Sequence, residues 1–300
     1  MKVFITGATG FIGFATAQAF ARAGYEVLGL CRSAEKARRL AREEVRPVMG
    51  DLTRPETWLD AAAQAAVLVH CAADLQSGMV GPDKIAVEAM LAVGPRGARP
   101  KTLVYTSGVW VQGPTGDGVA DETTPLNPLP IVAWRTAHEQ MVLSATSVRG
   151  IVLRPGCVYG KSGSLTGSWF EGAYKKKDLQ VVGDGTNRWA MVHVDDLADA
   201  YLRAAQSGLS GEVFNVTDRS RDSVAEMAAA AARVAGYGGA IRFGPVSEAA
   251  KAMGPFAEAL ALDQHVSSWK IVRRLGWHPQ HGGFVDGAKV YFEAWKAGQA

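Results

Sequence analysis

Thr6-Gly7-Ala8-Thr9-Gly10-Phe11-Ile12-Gly13 decides how this chain is read. The run leading into it, Lys2 to Thr6 (KVFIT), is short, apolar and β-branched, as a fully buried parallel strand is. Ala15 to Ala23 behind it reads as a helix, so the glycines fall on a strand-to-helix turn. On such a turn Gly7 permits the tight bend, Gly10 lets backbone approach a pyrophosphate, and Gly13 lets helix and strand pack closely. The bare N–H groups and the positive dipole end of the helix favour phosphate. Strand, turn and helix together point to a bound dinucleotide.

Working outward, Glu26 to Cys31 (EVLGLC) reads as a second strand, whose end selects the cofactor. An acid there holds a ribose 2′-hydroxyl, whereas arginine suits a 2′-phosphate. The chain has Cys31-Arg32-Ser33, with Lys36 one turn on and no acid, which favours NADP, with NAD as the alternative. Ser33 is placed to cap a helix over 34–43, and Val45 to Met49 forms a third strand ending in Gly50-Asp51-Leu52. Thr53-Arg54-Pro55 opens another helix. Val67 to Ala73 is a fourth strand running into small residues, Asp83 to Ala92 a helix, Pro95 to Pro100 a turn, and Thr102 to Thr106 a fifth strand. This alternation demands a doubly wound parallel sheet with right-handed crossovers, and a ligand across its carboxyl ends.

The G-x-x-G-x-x-G spacing within TGATGFIG resembles the extended and atypical short-chain dehydrogenase/reductases, the NAD-dependent epimerase/dehydratase family. The resemblance recurs at His70-Cys71-Ala72-Ala73, at Arg154-Pro155-Gly156-Cys157-Val158-Tyr159-Gly160 and at Leu275-Gly276-Trp277-His278-Pro279, nearly the length of the chain. It implies an α/β fold: a Rossmann domain over 1–157, rejoined by 188–217, and a smaller C-terminal substrate-binding region over 158–300. It also implies cofactor contacts at Gly7, Thr9, Gly10, Phe11, Ile12, Gly13, Arg32 and Lys36, and at Asp51 and Leu52 beside the adenine. Further contacts follow at Ala72, Ala73, Thr106, Ser107 and His138, and at Pro155, Gly156 and Val158 along the nicotinamide carboxamide.

Members of the family act through Ser or Thr, Tyr and Lys, the last two four apart on one helix. Here the expected hydroxyl position holds Gly108, with Ser107 one earlier. The helix after Pro125 to Pro130 places Trp134 and His138 in the Tyr and Lys register. Indole donates a hydrogen bond but is no acid near neutral pH. His138 is therefore expected to hold the ribose or move a proton, with Tyr159, Ser107 and His193 as further candidates for the acid. Gly108, Trp110, Trp134, Tyr159, Trp169 and His193 are the expected substrate pocket. The resemblance then implies an oxidoreductase acting on a small, partly apolar carbonyl or alcohol. The alternatives are an epimerase, dehydratase or lyase that retains its cofactor, and a non-catalytic NADP-binding sensor.

Composition narrows the classes. A net charge of +3 over 300 residues is too slight to imply nucleic acid or a membrane surface. Cys31, Cys71 and Cys157 stand apart in apolar runs, so neither disulfide nor metal site is expected and a reducing cytoplasm is the simplest setting. No run is long enough to span a membrane, and a strand beginning at Lys2 leaves no room for a signal peptide. The expected partners are a small-molecule substrate and, at most, a second copy of the chain. In the C-terminal part, Asp195 is expected to cap a helix reaching Ala205, and Ser223 with Glu226 reads as a capping box.

Overall fold

The computed structural model describes residues 1–73, 78–96 and 100–299. Its strands are β1 (Lys2–Thr6), β2 (Glu26–Cys31), β3 (Arg46–Met49), β4 (Val67–His70), β5 (Lys101–Thr106), β6 (Val148–Pro155), β7 (Cys157–Tyr159), β8 (Gln180–Val182), β9 (Met191–His193), β10 (Glu212–Val216) and β11 (Arg242–Gly244). Seven of them form one parallel sheet in the order β10-β6-β5-β4-β1-β2-β3. Every side chain of β4, and all but one each of β1 and β5, are buried, because helices cover both faces. The strand order reverses where β1 lies between β2 and β4, and the carboxyl ends there open a crevice.

The helices that matter for the site are α1 (Phe11–Arg22), α2 (Ala34–Arg42), α3 (Leu59–Gln64), α4 (Val80–Val93), α5 (Trp134–Leu143), α6 (Gly167–Phe170) and α7 (Val194–Gln206). Ala15 and Ala19 of α1 pack on Val194 and Ala198 of α7, side chains small enough to let the two helices lie close. A second core holds the C-terminal lobe together around Trp169, Phe170, Trp189, Phe284 and Trp295. Trp169 and Trp189 stack with ring centroids 5.1 Å apart. β7 pairs with β9, and β8 with β11, outside the main sheet. No helix among the described residues is long and apolar enough to cross a membrane.

Ser33 caps α2, and Ser223 with Glu226 forms a reciprocal capping box on the helix Val224–Val234. Two local expectations are corrected. Thr53-Arg54-Pro55 leads only into a single 3₁₀ turn, Pro55–Thr57, before α3, since Asp51 draws the chain back by accepting the Thr53 N–H at 2.8 Å. Asp195 does not cap α7: the His193 Nδ1 accepts the Asp195 N–H at 3.2 Å, and Asp195 in the first turn pairs with Lys161 at 2.6 Å. Residues 97–99 of the expected turn at Pro95 to Pro100 lie outside the described residues.

Candidate cofactor and substrate site

A cleft of about 360 Å³ runs along the carboxyl ends of β1 to β4. Its walls include Gly7, Thr9, Gly10, Phe11, Ile12, Arg32, Lys36, Leu52, Ala72 and Ala73, all expected from the sequence. Gly7 has φ +68°, and a Cβ on it would stand 2.7 Å from the Ala72 nitrogen. A Cβ on Gly13 would run into the Gly7 carbonyl, so Gly13 shapes the turn from behind without lining the cleft. Gly10 is the N-cap of α1 and brings no side chain to the helix end, which leaves its first N–H groups facing the cleft. Asp51 turns its carboxylate to Thr53, and its carbonyl accepts the Trp58 indole N–H at 2.9 Å. Leu30, Cys31, Gly50 and Cys71 also line the cleft. They stand just before the expected wall residues Arg32, Leu52 and Ala72 at the strand ends. Burial pushes the Cys71 thiol up to about 11, which removes it as a nucleophile.

Beyond β4, at the ends of β5 and β6, the side chains sort differently from the expected register. Thr106 Oγ1 donates to the His70 carbonyl and lies 2.5 Å from the Tyr201 hydroxyl, and so is committed to the fold. Ser107 Oγ is buried and has no hydrogen-bond partner among the described residues. A Cβ on Gly108 would meet only the Pro155 carbonyl, at 3.8 Å, so there is room at this point. On α5 the residue that reaches β5 is Arg135, whose Nη1 donates to the Thr106 carbonyl at 2.8 Å. Its guanidinium lies over the Trp134 ring, 4.5 Å from the centroid. One turn on, Glu139 takes a bidentate grip on Arg154 of β6, at 2.9 and 2.5 Å. His138 points another way: it is 4% exposed, and its Nδ1 meets Asp83 of α4 at 2.6 Å. Four residues before Arg135 stands Ile131, a hydrocarbon.

The expected pocket residues are dispersed. Trp110, just after β5, packs edge-on to Phe256 at 6.0 Å, and both Phe256 and Trp169 line an apolar cavity of about 840 Å³ in the C-terminal lobe. Tyr159 is wholly buried against His193, Phe284 and Tyr291, which takes it out of any pocket wall. Burial, helped by the charge of Asp218, drives its phenol far above the ordinary range. His193 is buried too; desolvation, then the nearby His281, lowers its pKa to about 4 and leaves it neutral. Both face inward because the β7–β9 pairing puts them opposite each other, in the lobe core. Pro155 closes β6, Gly156 donates to the Val216 carbonyl at 3.0 Å, and Val158 packs onto α1 and α7. Arg135, which reaches the end of β5, is the α5 side chain that the sequence reading did not single out. Glu139 and Arg154 were the signal, since pairing them fixes the face of α5 that turns to the sheet.

Residues 3–217 match the sequence pattern of the NAD dependent epimerase/dehydratase family. The chain belongs to this family. An uncharacterized protein of Schizosaccharomyces pombe is 30% identical over 94% of this chain and 96% of its own length. A 3-diazoavenalumate denitrifying reductase of a Streptomyces species is 28% identical over 96% of this chain and 99% of its own length. Among solved structures, the dTDP-glucose 4,6-dehydratase of Bacillus anthracis, in complex with NAD, superposes over 100% of this chain and 97% of its own with a TM-score of 0.84 at 19% identity. At that identity the likeness bears on the fold. Epimerase/dehydratase family membership implies a nicotinamide dinucleotide, and the residues present fit one. The Gly7–Gly13 cradle is a space that a Cβ would fill, and Ser107 Oγ is a buried hydroxyl awaiting a partner.

Proposed function

We propose that this chain is an NADPH-dependent reductase that delivers hydride one way to a small, largely apolar, electrophilic acceptor. The register of α5 carries the proposal: a cation, Arg135, reaches the end of β5, while a hydrocarbon, Ile131, stands four residues before it. Interconverting an alcohol and a ketone requires a group that takes a proton from the hydroxyl and returns it, as a phenol beside a cation does. Reducing a strong electrophile requires only hydride, with the balancing proton drawn from water. Such a site therefore favours one-way reduction over epimerisation. Full-length similarity to a denitrifying reductase supports the same direction.

Bound in the cleft, the reduced nicotinamide supplies the hydride. Arg32 and Lys36 would hold the 2′-phosphate, the N–H groups at the start of α1 the pyrophosphate, and Leu52 the adenine face. Ser107 Oγ and the Arg135 guanidinium would donate at the nicotinamide end, to ribose and acceptor.

Incubation with NADPH and a panel of quinones, aldehydes and aryl diazonium salts is expected to show stoichiometric NADPH oxidation with at least one of them. Turnover without net NADPH loss would replace the proposal with an epimerase or dehydratase, and saturable binding with no turnover would replace it with a sensor. For the cofactor, a guanidinium–phosphate pair contributes about 1.5 to 3 kcal/mol, roughly ten- to a hundredfold in affinity. Arg32→Asp is accordingly expected to reverse or erase the preference for NADPH over NADH in a fluorescence titration. An unchanged ratio would show that Arg32 does not read the phosphate.

A further inference from the structure

At the carboxyl ends of β1, β4 and β5, five polar side chains from five elements meet out of contact with solvent: Thr6 on β1, His70 on β4, Tyr105 on β5, Asp83 on α4 and His138 on α5. None is more than 4% exposed. Asp83 is the hub. Its Oδ1 lies 3.2 Å from His70 Nε2, and its Oδ2 lies 2.9 Å from the Tyr105 hydroxyl and 2.6 Å from His138 Nδ1. At the far side of His70, Nδ1 lies 2.6 Å from the Thr6 hydroxyl.

The hydrogen bonds of this cluster have a consistent set of donors and acceptors. The carboxylate accepts from His70 Nε2–H, from the Tyr105 O–H and from His138 Nδ1–H, and His70 Nδ1 then accepts from Thr6. Every contact is satisfied, and one negative charge remains buried. Burial alone would push the Asp83 carboxyl upward, but the bond from His70 and its charge, then the bond from His138 and the charge of Arg135, outweigh it and hold it below the usual carboxylate range. The first turn of α4, where Asp83 sits, adds the favourable end of a helix dipole. Arg135 stands three residues before His138 on α5, so the bond that fixes His138 to Asp83 also fixes the stretch of helix that carries the guanidinium.

We propose that Asp83 is a positioning residue: through its bond to His138 it anchors α5, and so holds the Arg135 guanidinium, three residues earlier on that helix, at the end of β5. This rests on the reading above that Arg135 meets the nicotinamide end of the cofactor. It also gives His138 a role other than acid or ribose clamp, since the bond from Nδ1 to Asp83 is its hold on the rest of the fold.

A double-mutant cycle on NADPH affinity tests the proposal, because a merely structural role for Asp83 would add independently to the loss of Arg135. Arg135→Gln and Asp83→Asn are each expected to weaken NADPH binding by about tenfold, with the double variant no weaker than Arg135→Gln alone. Losses that multiply in the double variant, or an Asp83→Asn protein that binds as tightly as the parent, would overturn the inference while leaving the Arg135 reading intact. An Arg135→Gln protein with unaltered affinity would sink that reading, and the inference with it. Should Asp83→Asn fail to fold, His138 serves instead. His138→Asn, whose amide nitrogen falls where Nδ1 does, is expected to retain affinity, and His138→Leu to lose about tenfold in the Arg135 background only. A leucine variant that binds normally would overturn the proposal.

Discussion

Glu139→Ala is expected to lower the thermal midpoint by roughly 5 to 8 °C. Glu139 and Arg154 are 2% and 4% exposed, and each is the other's partner through two parallel bonds. Removing the carboxylate leaves a guanidinium in a dry interior, which costs about 3 to 5 kcal/mol, whereas replacing both partners by hydrocarbons of similar volume is often neutral. For a chain of 300 residues each kcal/mol moves the midpoint by about 1.6 °C, which gives the range stated. Arg154 Nη1 already lacks a hydrogen-bond partner among the described residues, so nothing nearby is poised to take over from Glu139. Calorimetry on Glu139→Ala, and on Glu139→Met combined with Arg154→Met, checks the argument. The double variant should recover most of the loss. A single variant that melts within about 2 °C of the parent would show that the pair is not the brace described.

Gly13→Val is expected to remove saturable NADPH binding altogether. A Cβ at this position collides with the Gly7 carbonyl, and backbone cannot swing aside as the tip of a side chain can. Relief would have to come from moving the loop 7–13, whose curvature lets the α1 N–H groups converge on phosphate. Gly10 makes the comparison sharp, because a Cβ there would approach the same carbonyl only to 3.2 Å. Gly10→Ala should therefore weaken binding by less than Gly13→Val does. Both variants should keep a native far-ultraviolet dichroism spectrum, since the strands behind the loop are untouched. Tight binding by a folded Gly13→Val protein would mean that the loop does not hold the dinucleotide.

The parallel sheet was legible because its strands are buried on both faces, and burial on both faces writes itself as apolar runs such as KVFIT and EVLGLC. The glycine turn and the serine caps were legible because each is a local device, complete within a few residues. The face of α5 was not. Trp134 with His138 and Arg135 with Glu139 have the same spacing, and either pair could have turned toward the cofactor. What decides is where each charged group finds its partner: Arg154 on β6 for Glu139, Asp83 on α4 for His138. Tyr159 and His193 were misplaced for a similar reason, since β7 pairs with β9 and turns both rings into the lobe.

The order in which the sheet is filled bears on how the chain is made. β6 ends at Pro155, yet its outer neighbour, β10, begins only at Glu212, after the chain has left the sheet and returned. During synthesis from the amino terminus, β6 therefore spends this interval as an open edge of apolar backbone, a template for pairing with other nascent chains. Contacts so distant in sequence also form slowly. Chains that stop short of Glu212 should collect in aggregates, while chains extended through Val216 close the edge and stay dispersed.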